Sequence, residues 1–344
     1  MIFNPKTSIL FSVLLAVFFS ACKPEGPQLP DGSGNIFVLN EGNFQAGNAT
    51  IDRFDPEENI LTNDVFFTRN QLPLGDVLQS MTVVGEKAYI VVNNSQKIEV
   101  VSVNDLAILT TITGFTSPRY LLSVTSTKAY VSDLFGGAIS IVDLSTNTLQ
   151  GSIALPGWTE EMLLTGGKVF VTNLNSIYTY VIDPVSDEIV DSVEVGLGGN
   201  SIREDRLGRI WVLSSGDAFN GIAGRLTCFN SGDLSIVKSF GFTSTDYPVR
   251  LSVNPDGDRL LYLNNGLFEI NIDASALPSA PLVSGGVGSY FYGLGVDPLS
   301  GTLYIADALD FTQRGAMLRF DENGTPVDTF RTGVIPSGFV FLEE

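Results

Sequence analysis

The chain has 344 residues, with 19 lysines and arginines against 38 acids and a formal net charge of −19 at pH 7. A surface this acidic repels nucleic acid and anionic lipid faces, so DNA and RNA are excluded as partners. Histidine is absent. That removes Ser-His-Asp and Cys-His triads, histidine ligands of a catalytic zinc, and the usual general base near neutral pH.

In chain order, residues 1–21 stand apart. Residues 9–19 are almost wholly apolar, too short a run to span a membrane and built like a secretory signal. Lys6 precedes the run, and Phe19-Ser20-Ala21-Cys22 closes it. That ending resembles a bacterial lipobox, in which the cysteine is lipidated and becomes the mature N-terminus. An ordinary signal with an incidental cysteine is the alternative. The expected address is therefore an exported chain, joined through a lipid on Cys22 to the outer membrane, at the cell surface or on the periplasmic face. Residues 22–34 form the tether. Its Lys23-Pro24-Glu25-Gly26-Pro27 is similar to the export tags that follow the lipid-bearing cysteine in Bacteroidota surface lipoproteins.

Residues 35–344 read as one repeat domain. Residues 127–155 show the unit, with three short strands divided by polar turns. An aromatic marks the first strand of each unit. Phe37, Tyr89, Tyr130, Phe170, Trp211, Tyr262 and Tyr304 recur every 40–52 residues among aliphatic or small neighbours. A second strand follows each anchor, at 51–55, 98–103, 139–143, 177–183, 226–230, 267–273 and 317–321. A further strand precedes the next anchor, at 78–84, 120–125, 160–164, 200–206, 249–254 and 292–297, and the last such strand, 337–342, ends the chain. A narrow sheet of this kind cannot bury its apolar face alone, so neighbouring units must stack on it. Four strands per unit at this period predict an all-β fold, a seven-bladed β-propeller closed by pairing of its N- and C-terminal strands. No apolar helical period follows the leader.

Most of the prominent polar residues have turn roles. Asp55, Asp143, Asp183, Asp273 and Asp321 close second strands, where an Asx side chain satisfies backbone donors of the turn. Residues 254–258 (Asn-Pro-Asp-Gly-Asp) lack the ligand spacing of a calcium loop and sit where a hairpin is needed. Gly285-Gly286-Val287-Gly288 opens no helix and is not a phosphate loop. Cys228 has no partner for a disulfide and reads as a small buried apolar residue. No catalytic residue, cofactor site or metal site is assigned.

Lys87-Ala88-Tyr89-Ile90-Val91-Val92-Asn93, Lys128-Ala129-Tyr130-Val131-Ser132-Asp133 and Lys168-Val169-Phe170-Val171-Thr172-Asn173 resemble the YVTN repeat. Ile139-Ser140-Ile141-Val142-Asp143 resembles its second half. The opening Leu39-Asn40-Glu41-Gly42-Asn43-Phe44, with Gly47-Asn48-Ala49-Thr50, resembles the first blade of YncE-like lipoproteins of the DUF5074 kind. The resemblance implies a seven-bladed propeller in the envelope. It implies no common activity, although some members accompany outer-membrane uptake systems.

In a propeller, the loops into the inner strands and those between each anchor strand and the strand after it share one face. Phe44, Arg69, Arg119, Trp158, Glu160, Phe219, Tyr247, Arg250, Tyr290, Tyr292 and Phe311 all fall on these loops. They are the candidate rim for a ligand or partner. The expected function is a binding module, a monomer that takes a small molecule or docks on an outer-membrane transport protein. The alternative is a histidine-independent lyase or hydrolase using Asp, Glu, Arg or Tyr. Two recessed carboxylates, or a Tyr-Arg-Asp cluster at the channel mouth, would favour the enzyme.

Overall fold

The structure, a computed structural model, describes residues 35–342 together with Met1. The leader, the tether and Cys22 lie outside the described residues. Within them, twenty-eight strands form seven antiparallel sheets of four. Six sheets take their strands in chain order. In the seventh, the last strand (Pro336–Phe341) pairs with the first (Ile36–Asn40), Ile36 opposite Phe341 and Asn40 opposite Pro336. The fold is a seven-bladed β-propeller. Blade 1 holds Phe37 and is completed by the C-terminal strand, and blade 7 holds Tyr304.

Each blade is too narrow to bury either face by itself, and the apolar cores lie between blades. Phe37 and Leu39 of blade 1 pack with Ile90 and Val92 of blade 2. Tyr89 and Val91 pack with Leu121 and Val131 of blade 3. Around the ring, Tyr304 and Met317 meet Ile36 and Phe54 of blade 1. All seven sequence anchors are buried to 1 % exposure or less. Burying an aromatic or branched side chain of this kind contributes about 1.5–3 kcal/mol, so the ring is held by seven comparable joints rather than one centre.

One anchor is out of register. Phe37, Tyr89, Tyr130, Phe170, Trp211 and Tyr304 each face the following blade. Tyr262 faces the preceding one, meeting its Phe242 edge-on and stacking on Phe268 of its own blade. Leu261 takes the place that faces blade 7. A shift of one residue sends a strand side chain to the other face. Both faces of these strands are apolar, so the sequence pattern does not reveal the slip.

Polar contacts reinforce the joints. Tyr89 Oη donates to Asn147 Oδ1 of blade 3 at 2.9 Å. Lys128 Nζ reaches Asp187 of blade 4 at 2.8 Å, and Tyr130 Oη donates to the same carboxylate. The turn aspartates act as the sequence implies at four sites, where Asp55, Asp143, Asp183 and Asp321 accept backbone N–H groups of the following turn. In blade 6 the role passes from Asp273 to Asn271, whose Oδ1 accepts the Asp273 N–H.

All inner strands start on one face, the mouth face, and run to the opposite one. Residues Ile36 and Phe341 are therefore both at the opposite face. At the closing joint Gly293 of blade 7 lies against blade 1, where a Cβ would stand 2.4 Å from the Ser337 carbonyl oxygen. The described residues also contain a helix the apolar period does not announce, α1 (Val65–Asn70), capped by the Asp64 carboxylate on the Phe67 N–H. It is under two turns long, too short to leave a period in sequence.

Candidate functional site

The mouth is built by a backbone irregularity repeated in every blade. Each of the seven inner strands slips its register against the neighbouring anchor strand just inside the mouth face. The slips fall at Leu78/Ser80, Pro118/Leu121, Thr159/Met162, Gly199/Ser201, Val249/Ser252, Phe291/Gly293 and, in blade 1, Leu39/Asn40 opposite Ser337. A bulge adds a residue to one strand and re-aims its side chain. The residues carried by these bulges are Gln79, Arg119, Glu160, Asn200, Arg250, Tyr292 and Ser337. Hydroxyl side chains of the anchor strands fill in behind: Ser132 Oγ accepts the Tyr120 N–H at 3.1 Å, and Thr172 Oγ1 donates to the Glu161 carbonyl at 2.9 Å. Arg250 has φ +60°, a left-handed conformation that a non-glycine residue holds only when its surroundings impose it.

The bulge residues join into a network. Arg119 Nε and Nη2 both reach Glu160 Oε1, at 3.0 and 2.8 Å, and its Nη1 donates to Gln79 Oε1. Gln79 Nε2 donates to Tyr120 Oη at 3.2 Å. Arg250 Nη1 donates to the same hydroxyl at 3.3 Å, and its Nε donates to the Tyr292 carbonyl at 3.0 Å. Glu41, from the loop after the first strand, accepts from Tyr292 Oη at 3.1 Å and lies 3.9 Å from Arg250 Nη2. Glu161 takes Arg203 Nη1 at 2.5 Å and the Ile202 N–H at 3.2 Å. Arg119 lies over the Trp158 ring and Arg250 over the Tyr292 ring, each 5.4 Å from the centroid.

Burial sets the electrostatics. Loss of water pushes the Glu41 carboxyl above its ordinary value, against the pull of Arg250, Arg119 and the Tyr292 hydroxyl. Glu160 is raised for the same reason, against Arg119. Burial also raises the phenols of Tyr120 and Tyr292. Burial would lower Arg250, but the phenols and carboxylates around it outweigh that, so both arginines remain cationic. The Trp158 indole N–H is close enough to favour ionised Glu160, yet it makes no full hydrogen bond.

Above this floor is a cavity of about 400 Å³, within the range of small-molecule sites. Of the rim residues expected from sequence, the structure brings seven to it: Arg119, Trp158, Glu160, Tyr247, Arg250, Tyr290 and Tyr292. Phe311 stands behind, edge-on to Tyr290 and Tyr292 at 4.8 and 5.3 Å. Phe44 and Phe219 stay exposed outside it. Arg69 is not brought to the mouth. It sits in the last turn of α1 and pairs at 2.9 Å with Asp105, in a turn of the opposite face. Sequence reasoning passed over Gln79, Tyr120, Glu161 and Glu41. Three of these are at or beside bulge positions, and aligning the inner strands on Arg119 and Glu160 would have placed them together. Glu41 carried no such signal.

Among the described residues, no group of three or more Cys, His, Asp or Glu side chains could hold a metal ion. The donors present suit hydrogen bonding and proton transfer by carboxyl and phenol groups.

Residues 34–342 match the family model described as "Domain of unknown function (DUF5074)". No curated protein matches the sequence. Solved structures share the fold. A quinonprotein alcohol dehydrogenase-like protein from Bacteroides thetaiotaomicron has a TM-score of 0.72 at 14 % identity, over 90 % of this chain and 78 % of that one. A putative 6-phosphogluconolactonase from Bacteroides fragilis has a TM-score of 0.66 at 15 % identity, over 92 % and 100 %. A periplasmic gluconolactonase from Pseudomonas aeruginosa has a TM-score of 0.65 at 13 % identity, over 90 % and 99 %. Identities this low speak for the fold alone.

Proposed function

Since the chain belongs to the DUF5074 family, whose description assigns no activity, we propose from its own geometry that it is an envelope-tethered, YncE-like propeller that captures a small organic molecule at the channel mouth. One observation carries the reading. Seven inner strands bulge at the same place, and five of the bulge residues, Arg119, Glu160, Asn200, Arg250 and Tyr292, line a cavity whose walls include Trp158, Tyr247 and Tyr290. None of the bulge residues belongs to the apolar inter-blade cores, and a concave aromatic site with a few convergent polar groups is the usual form of a ligand pocket. The lipobox-like Cys22 supports export and anchoring at the outer membrane. The exposed Phe44 and Phe219 at the same face offer apolar contact to an outer-membrane transport partner.

A second reading has its own support. Glu41 and Glu160 are both recessed and both raised by burial, and Tyr120 and Tyr292 stand beside them. That is the pairing of carboxylates with Tyr and Arg that favours a histidine-independent lyase or hydrolase. Native mass spectrometry of the full chain, incubated with small-molecule extract from its growth medium, separates the readings. Capture gives an adduct that Arg250→Ala loses and that is released unchanged. Turnover gives a product of altered mass. No adduct and no product would sink both.

A further inference from the structure

We propose that the mouth cavity selects an uncharged ring-shaped molecule bearing hydroxyl or amide groups, and rejects its carboxylate- or phosphate-bearing counterparts. The proposal rests on the reading of the cavity as a ligand site. It follows from the way the floor is paired. The charged residues lining the cavity are two arginines and two glutamates, Arg119 and Arg250 against Glu160 and Glu161. Behind them Glu41 and Arg203 add one charge of each sign. The site is neutral in a chain of net charge −19.

The arginine forks are already occupied. Arg119 is engaged at all three nitrogens, by Glu160 and Gln79. Arg250 is engaged at Nε and Nη1, and its third nitrogen faces Glu41. An incoming carboxylate or phosphate would have to displace a resident glutamate or sit beside it, and like charges in a recessed site repel strongly.

What remains open asks for a group that both gives and takes. Tyr120 Oη accepts from Arg250 and from Gln79, and among the described residues no group accepts its own hydrogen. Glu160 uses Oε1 for Arg119 and keeps its other oxygen for a donor. Among the described residues, the side chains of Asn265 and Ser289 line the cavity without a hydrogen bond of their own. An anion only accepts and a cation only donates, whereas a hydroxyl or a primary or secondary amide does both. The flat faces of Trp158, Tyr247, Tyr290 and Tyr292 suit the apolar faces of a ring.

The test uses the full chain and matched probes in calorimetric titration: glucose, cellobiose and N-acetylglucosamine against glucuronate, gluconate and glucose 6-phosphate. The expected result is that at least one uncharged probe binds, with its charged counterpart at least tenfold weaker, and that Glu160→Gln narrows that ratio. Tyr120→Phe, which keeps the ring but removes the hydroxyl that meets the probe and accepts from Arg250 and Gln79, should weaken the uncharged probe on the order of tenfold. Tighter binding of the charged members overturns this selectivity while leaving capture itself intact. If no probe binds, the charge of the adduct found by native mass spectrometry decides, and an anionic adduct overturns the proposal. A protein with no adduct and no bound probe loses both the ligand site and its selectivity.

Discussion

Arg119 holds Glu160 through two nitrogens on one oxygen, Nε at 3.0 Å and Nη2 at 2.8 Å from Oε1, across the joint between blades 3 and 4. The Glu160 side chain is only 4 % exposed. Arg119→Ala would leave that carboxylate without its partner, at a cost on the order of 3 kcal/mol. Adding Glu160→Gln should recover part of the loss. Urea unfolding of the two single variants and the double checks this. Strictly additive losses would mean the pair is not coupled.

Glu41 gives a pH dependence of defined sign. Its carboxyl is raised above the ordinary 4.5 by burial, so the native state binds its proton more tightly than the unfolded chain does. The stability it contributes is complete below 4.5 and is lost as pH rises through the raised value. Glu41→Gln is neutral at every pH and serves as the reference. The melting temperature of the variant should gain on the parent as pH rises from 4 to 8. A parent that gains on the variant over that range would show the Arg250 contact outweighing burial.

Trp158→Ala and Arg250→Ala should each weaken ligand capture by about 1–3 kcal/mol; Trp158→Ala should melt close to the parent, whereas Arg250→Ala, which loses its contacts to Tyr292, Tyr120 and Glu41, should melt lower. Trp158 loses stacking under Arg119 but no hydrogen bond, since its indole nitrogen makes none. Titration beside a melting curve reads both quantities. Normal binding by both variants would reduce these residues to loop packing.

Ring closure can be probed with one methyl group. Gly293→Ala would place a Cβ 2.4 Å from the Ser337 oxygen and 3.0 Å from the Ala306 Cβ. Neither neighbour is a flexible side-chain end, so a cost of about 1–3 kcal/mol is expected. Gly232→Ala, which meets nothing within 4 Å, is the control. Equal melting of the two variants would contradict the close approach of blades 7 and 1.

Cys22→Ser should abolish incorporation of labelled fatty acid and release the chain from the membrane fraction. Continued labelling would refute the lipobox reading.

The ring was legible because each joint repeats the same demand. Phe37, Tyr89, Tyr130, Phe170, Trp211 and Tyr304 mark it in order, as does the apolar strand at each chain end. Tyr262 is one place out because Leu261, Tyr262 and Leu263 are all apolar and both faces of the strand are covered. The site was half legible. Arg119, Trp158, Glu160 and Arg250 stand out by type on loops known to share a face. Glu41 does not, because its loop is stitched beside Arg250 only when the chain ends pair. Arg69 was misjudged in position because α1 carries it back along the blade to Asp105, a detour no periodicity announces.

The pairing of Ile36 with Phe341 brings the start of the first strand and the end of the last strand together at the face opposite the cavity. With the lipid proposed at Cys22, the tether would join the disc at Asn35, on its back, and the Trp158 and Tyr290 walls would open on the other side. A fusion placed after Leu342 would emerge on the face opposite the cavity and leave the opening unobstructed, whereas an insertion at Phe44 or Phe219 would stand at the face of entry.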